Sequence, residues 1–182
     1  MKQYILLLSF FLISKSYCQT LTEADSLFSA KKYNEALTNY LNLGKTKFDK
    51  NDFKGVLITF KIAECYRNLS DTINSKDWYI KSRKQAGKHV RRINDSEKKN
   101  ILNDLIIMAD SYFYIKKYET ARIYYLKIYT FFKEIPSLQS WLNWYCCSKI
   151  VNNPESDHIL DYITKNFTEP EQKIIIANKN CN

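Results

Sequence analysis

The chain has 182 residues, a length that predicts one domain. Lys and Arg outnumber Asp and Glu by 28 to 19, so the formal net charge is +9 and the protein is mildly basic. Only three Gly and three Pro occur, without any Asn-Gly or Asp-Gly pair, so hairpin-rich folds are disfavoured and an all-α fold is predicted.

The N-terminal segment has the pattern of an export signal. Lys2 supplies a positive charge, residues 4–14 are apolar, and small side chains precede a cut between Cys18 and Gln19. Residues 1–18 are therefore predicted to be a signal peptide that is removed on export to the periplasm, cell envelope or extracellular space. One alternative is a retained membrane anchor, for which the apolar run is short. The other is lipidation of Cys18, although the preceding residues match the lipoprotein pattern poorly.

The mature chain is expected to contain no transmembrane segment, because no second apolar span follows the first. Cleavage removes two Lys and no acidic residue, which lowers the formal charge from +9 to +7. On an exported chain, this mild charge favours solubility or attraction to an anionic surface over nucleic-acid binding. No nucleic-acid partner is therefore predicted.

Three segments share one pattern of small and aromatic residues, at successive offsets of 3, 9, 4 and 3 residues. The three sets are Ala24, Leu27, Ala36, Tyr40 and Leu43; Ala63, Tyr66, Ser75, Tyr79 and Ser82; and Ala109, Tyr112, Ala121, Tyr125 and Ile128. Two antiparallel helices approach closely only where a side chain is small. The first and third positions are therefore predicted to lie at helix contacts. Tyr112, Tyr118 and Tyr125 are interpreted mainly as packing residues.

This pattern resembles the tetratricopeptide repeat (TPR), a helix-turn-helix unit, over residues 20–132. The resemblance implies helix pairs stacked as a short α-solenoid. The spacing departs from the family, whose period is about 34 residues. Here Ala36 and Ser75 are 39 residues apart, and Ser75 and Ala121 are 46 apart. The additional residues are expected to lengthen helices or loops between the pairs, and Pro136 is expected to close the third.

The resemblance implies three TPR-like helical repeats over residues 19–135. Residues 136–182 are predicted to form a degenerate fourth helical pair and a capping helix, because terminal repeats of a stack are atypical. Apolar residues recur at helical spacing over 137–151, a second helix is expected over 154–166, and a short terminal helix over 169–178.

The most polar linker, residues 88–99, reads KHVRRINDSEKK. Its charges predict a solvated helix end and loop, and the alternative is a patch for nucleic acid or lipid headgroups.

Four cysteines remain after the predicted cleavage. Cys65 and one of the adjacent pair Cys146 and Cys147 are predicted to lie on helix core faces as small hydrophobic residues. An exported chain also allows one disulfide, such as Cys147 to Cys181. The cysteines and histidines lack zinc-site spacing, so no metal is predicted. No motif of a known catalytic or cofactor-binding loop occurs, so no cofactor and no enzymatic activity are predicted.

The remaining function class is recognition of a protein or peptide. In chains that resemble the TPR family, ligands lie along the concave surface formed by the first helix of each pair. By register, the predicted partner-binding residues are Asp25, Phe28 and Ser29; Glu64, Arg67 and Asn68; and Asp110, Phe113 and Tyr114.

An acidic residue leads each of these three sets. Aligned acids would form a negative stripe between Phe28 and Phe113 that favours a cationic ligand group. Alternatively, the acids pair with cations on their own helix, such as Glu64 with Lys61 or Arg67. The resemblance thus implies an exported scaffold in the cell envelope; the alternatives are a structural or assembly subunit and a truncated sensor module.

Overall fold

The computed structural model describes residues 20–46, 52–91 and 98–168, together with residues 170, 171, 173 and 181. The predicted signal peptide lies outside the described residues, and so does most of the predicted helix over 169–178. The described part of the chain contains eight α-helices and no strand, which confirms the all-α prediction. None of these helices is long and apolar enough to cross a bilayer.

The eight helices of the described part follow one another along the chain. They are α1 (Leu21–Ser29), α2 (Tyr33–Thr46), α3 (Phe53–Asn68), α4 (Thr72–Val90), α5 (Lys98–Tyr114), α6 (Tyr118–Phe132), α7 (Leu138–Ile150) and α8 (Glu155–Asn166). Each helix packs against the next, and α3 also contacts α5 while α5 contacts α7. From α3 to α7, every second helix is therefore also in contact.

Polar N-cap residues explain where four helices begin. The side chains of Thr20, Asp52, Asp71 and Ser137 each accept a hydrogen bond from the backbone N–H three residues later. Such a cap satisfies one of the backbone donors that a helix start leaves without an intrahelical partner.

The turns after α1, α3, α5 and α7 have the same backbone conformation. Lys31, Ser70, Lys116 and Asn152 have φ angles of 60°, 61°, 62° and 54°. In every turn this residue donates to the carbonyl three residues earlier, and the following residue donates to the carbonyl five residues earlier. This pair of bonds is the Schellman motif, which closes a helix end by satisfying its free carbonyls.

The predicted packing register is borne out by burial. All six small positions are buried, namely Ala24, Ala36, Ala63, Ser75, Ala109 and Ala121. The tyrosines four residues after each second small position are buried as well, and Tyr112 and Tyr118 pack partly buried against the core. These side chains therefore fill the volume beside the close helix contacts, as the packing interpretation of the tyrosines predicts.

The largest core cluster joins α5, α6, α7 and α8 and is rich in aromatic rings. Residues 140–148 of α7 are all buried, and the Tyr129 ring makes an edge contact with Trp141, with centroids 5.4 Å apart. Trp141 in turn stacks on Tyr162 of α8 at 4.4 Å. The two C-terminal helices are thus packed into the same core as α5 and α6.

The cysteines are partly as predicted. Cys65 and Cys147 are free and buried, which agrees with their predicted place on core faces. The disulfide joins Cys181 to Cys146, with Cα atoms 5.2 Å apart, so Cys147 was the wrong partner. Successive residues on a helix point in different directions, and Cys147 is directed into the core.

Candidate partner-binding site

Each of the three predicted acidic residues accepts a hydrogen bond from a tyrosine 15 residues later in the chain. The pairs are Tyr40 with Asp25, Tyr79 with Glu64, and Tyr125 with Asp110. Burial and the adjacent carboxylates raise the pKa of all three tyrosines far above the ordinary value. The hydroxyls therefore remain protonated donors, and one bond of the same kind ties together the two helices of each of the first three pairs.

Asp110 is the most enclosed of the acids, with 7% of its surface exposed. Besides the tyrosine bond, it accepts from Ser140 Oγ at 3.1 Å and from Asn143 Nδ2 at 2.9 Å. Burial raises the pKa of Asp110 to about 6, although these hydrogen bonds act to lower it. Its carboxyl group joins α5 to α6 and α7 inside the protein.

Glu64 is held by Arg67, which lies three residues later on the same helix. Arg67 donates through Nε at 3.2 Å and through Nη2 at 2.9 Å. The Glu64 side chain is 13% exposed, whereas that of Arg67 is 41% exposed. The open side of this ion pair is therefore the guanidinium group.

Arg67 also forms a contact between two helices. Its guanidinium carbon lies 4.9 Å from the centroid of the Tyr114 ring, at the end of α5. Tyr114 stacks on Tyr79 with ring centroids 4.7 Å apart. The structure thus brings two predicted partner-binding residues, Arg67 and Tyr114, into direct contact, with Tyr79 stacked on the same Tyr114 ring.

The other predicted residues have contacts of their own. The ring of Phe28 lies below Lys61 Nζ at 4.4 Å and against the edge of the Tyr33 ring at 5.4 Å. Asn68 donates to the backbone carbonyl of Glu64 at 2.8 Å. Phe113 packs edge-on against the Tyr114 and Tyr118 rings, while Ser29 is exposed at the end of α1.

A cleft of about 710 Å³ opens beside Arg67 and Tyr114. Ile73, which is 76% exposed, and Ile115 supply apolar surface. The lining also includes the cationic Lys76 and Lys116 and the acidic Asp77. The cleft therefore combines apolar, aromatic and charged groups on one open surface.

Sequence reasoning missed Ile73, Lys76 and Lys116 as parts of this surface. One signal for Ile73 was available, because a large apolar residue follows closely after the capping Asp71 at a helix start. No pattern predicted that Lys116 would be brought beside α4, since its place depends on how two helix pairs stack.

The described residues contain no group of three or more His, Cys, Asp or Glu that could hold a metal ion. His89 Nδ1 and Asp104 Oδ2 lie 2.5 Å apart and join α4 to α5, and burial raises the pKa of Asp104.

Comparisons with models of known protein families, with curated proteins and with solved structures gave no match.

Proposed function

We propose that this chain is an exported, TPR-like scaffold that binds a protein or peptide partner in the cell envelope. The cleft beside Arg67 and Tyr114 forms part of the binding surface. One observation carries the proposal: these residues, predicted from two separate repeats, meet at the edge of an open cleft.

The repeated local structure supports the comparison with the TPR family. The same turn follows α1, α3, α5 and α7, and the same tyrosine-to-acid bond joins the helices of the first three pairs. The contacts of α3 with α5 and of α5 with α7 are those expected when helix pairs stack. A stack of this kind presents its first helices together as one extended surface.

The cleft suits a partner that inserts an apolar side chain. Ile73, Ile115 and the edge of the Tyr114 stack can receive that group, and its removal from water would drive binding. Lys76 and Asp77 carry opposite charges at the rim, so polar groups of either sign on the partner can be matched there. The enclosed acids on α3 and α5 help to hold the cleft in shape.

The disulfide supports export. Bonds such as Cys146 to Cys181 form and persist mainly in oxidising compartments, and a signal peptide over residues 1–18 would deliver the chain to one.

The test begins with the chain from Gln19 onward as bait for an extract of its native envelope fraction. Once a partner is captured, titrations compare the wild type with Ile73→Asp. This change removes the apolar group and places an acid in the first turn of α4, where it favours the helix. We expect affinity to fall by roughly tenfold, because one apolar anchor is lost.

Phe131→Asp is the matched control, since it also replaces an exposed apolar side chain with a carboxylate, at a position that does not line the cleft. It should leave affinity unchanged. Equal binding by Ile73→Asp and wild type, with both folded by circular dichroism, would show that the partner binds elsewhere.

A further inference from the structure

A second groove, of about 460 Å³, is formed by α4, α5 and α6. It shares no lining residue with the cleft beside Arg67, so it is a separate surface. Four cationic residues line it, namely Arg83, Lys84 and Lys88 of α4 and Arg91, which follows the last residue of that helix.

The charge of this groove has one sign. Its lining contains four cationic residues and no acidic residue. Within the described ranges, none of these four cations forms an ion pair. Lys84, Lys88 and Arg91 follow one another at helical spacing, about 6 Å and about 4.5 Å apart along the axis of α4. They form a short cationic edge, and no carboxylate of the described residues lines the groove beside it.

Arg83 is held in place and retains an unused donor. Its Nη1 donates to the Tyr112 hydroxyl at 3.0 Å, and its guanidinium carbon lies 4.9 Å from the centroid of the same ring. Tyr112 stacks on Tyr124 with centroids 5.3 Å apart. The Nε of Arg83 is buried without a hydrogen-bond partner. These contacts fix the guanidinium group in the wall of the groove, where its charge adds to that of the neighbouring cations.

The floor of the groove is apolar. Leu105 and Met108 of α5 line it together with Tyr124 of α6. Gly87 lies in the facing wall, and a β-carbon added there would be 3.6 Å from Met108 Cε, an ordinary contact distance. Because glycine carries no side chain, it leaves the wall open above the floor.

We propose that this groove binds an acidic, amphipathic segment of a partner protein. Carboxylates of the segment face Lys84, Lys88 and Arg91, and an apolar side chain enters toward Leu105 and Met108. The concave shape favours a protruding segment, because a flat anionic bilayer would reach the cationic edge but not the floor. Stacking of nucleic-acid bases is disfavoured, since Tyr112 is already covered by Arg83 and Tyr124.

The inference can be tested with a defined probe, without knowledge of the natural partner. A fluorescent synthetic peptide that repeats Glu-Glu-Leu-Glu is titrated with the chain from Gln19 onward, and anisotropy is measured at low and at physiological salt. We expect saturable binding that weakens with salt. A Lys-Lys-Leu-Lys peptide should not bind, and polyglutamate should bind more weakly because it lacks the apolar group.

Three variants separate charge from shape. Lys84→Glu reverses one charge at the edge, and Gly87→Gln fills the groove without changing charge; each should weaken binding by roughly tenfold. Lys81→Glu is the matched control, because it makes the same change of net charge on the same helix. Lys81 does not line the groove and contacts the Trp78 ring. It should bind as the wild type does.

Several results would overturn the proposal. Absence of peptide binding would do so directly. Equal weakening by Lys81→Glu and Lys84→Glu would show only general attraction to a basic protein. If Gly87→Gln binds the peptide normally, and anionic vesicles or an oligonucleotide displace the peptide completely, then the groove is not the binding site. The cationic edge would then bind a flat anionic surface. Loss of peptide binding in Ile73→Asp would place the probe in the first cleft.

Discussion

Three copies of one hydrogen bond allow a graded test of how this protein is stabilised. Each of the three buried tyrosines is replaced by phenylalanine, which keeps the ring and removes only the hydroxyl donor. We expect the loss of stability to follow the enclosure of the carboxylate that is left behind. The ranking, from largest to smallest loss, is Tyr125→Phe, Tyr79→Phe and Tyr40→Phe.

Tyr125→Phe should cost about 1.5–3 kcal/mol, the usual range for a hydrogen bond to a charged group. Its acceptor, Asp110, is enclosed and cannot recruit water in place of the hydroxyl. Ser140 and Asn143 continue to donate to Asp110, so the carboxylate is not stripped of all partners. The cost should therefore stay below that of an isolated buried charge.

In the other two variants, the carboxylate that loses its tyrosine donor keeps other hydrogen bonds or gains them from water. In Tyr79→Phe, Glu64 keeps both bonds from Arg67, and we expect a cost of about 1–2 kcal/mol. In Tyr40→Phe, water can reach Asp25, which is only partly buried, so a cost of about 0.5–1 kcal/mol is expected.

The assay is urea denaturation followed by far-ultraviolet circular dichroism at neutral pH, with equal slopes required for comparison. A double-mutant cycle with Tyr125→Phe and Asp110→Asn isolates the energy of that one bond. The reasoning fails if Tyr40→Phe costs as much as Tyr125→Phe, because enclosure of the acceptor would then not control the energy.

Four further predictions concern packing, pH, the C-terminal helices and export. Ala63→Leu or Ala121→Leu should cost roughly 1–3 kcal/mol by overpacking, and unchanged urea midpoints would mean that the register is wrong. Burial raises the pKa of Asp110 from 3.8 to about 6, so the folded state binds this proton more tightly than the unfolded state does. The stability gained from the proton is fully present below pH 3.8 and is lost as the pH rises through 6. Asp110→Asn should thus abolish about 2–3 kcal/mol of stabilisation that the wild type gains on acidification from neutral pH, measured by denaturation across that range. Deletion from Pro136 onward should cause aggregation in size-exclusion chromatography, because it uncovers the shared aromatic core; a soluble, helical monomer would contradict this. Intact-mass measurement of the exported protein should give a chain that begins at Gln19, and retention of the leader or a lipid adduct would exclude that cut.

The packing register was predictable because residue size records it directly. Small residues recur where helix backbones come close, and large tyrosines recur where there is volume to fill. The turns left no such record in the sequence. Four turn residues occupy the left-handed region that favours glycine, namely Lys31, Ser70, Lys116 and Asn152. Because none of them is glycine, the sequence did not predict the turn that recurs four times.

The fourth turn shows most clearly that the turn conformation and the small-residue pattern are independent of each other. Ala24, Ala63 and Ala109 each lie seven residues before a left-handed turn residue, whereas Tyr145 takes that position before Asn152. The backbone turn is therefore kept where the small residue is not. A search for small residues alone cannot find such a pair, although hydrophobic spacing still indicated its helices.

The candidate site was harder to predict, because the environment of a side chain depends on the next helix rather than on its own register. Glu64 and Asp110 occupy equivalent positions, but one is covered by Arg67 of its own helix and the other by Ser140 and Asn143 of α7.

This difference decides which substitutions can report on binding. Reversing the charge at Glu64 would break the bonds to Arg67 and Tyr79 and bring two cations together, so lost binding could reflect a distorted cleft. Ile73→Asp changes an exposed side chain of the cleft lining that takes no part in those bonds. A partner that loses affinity for Ile73→Asp therefore contacts the cleft itself, whereas one sensitive only to changes at Glu64 responds to the structure that supports it.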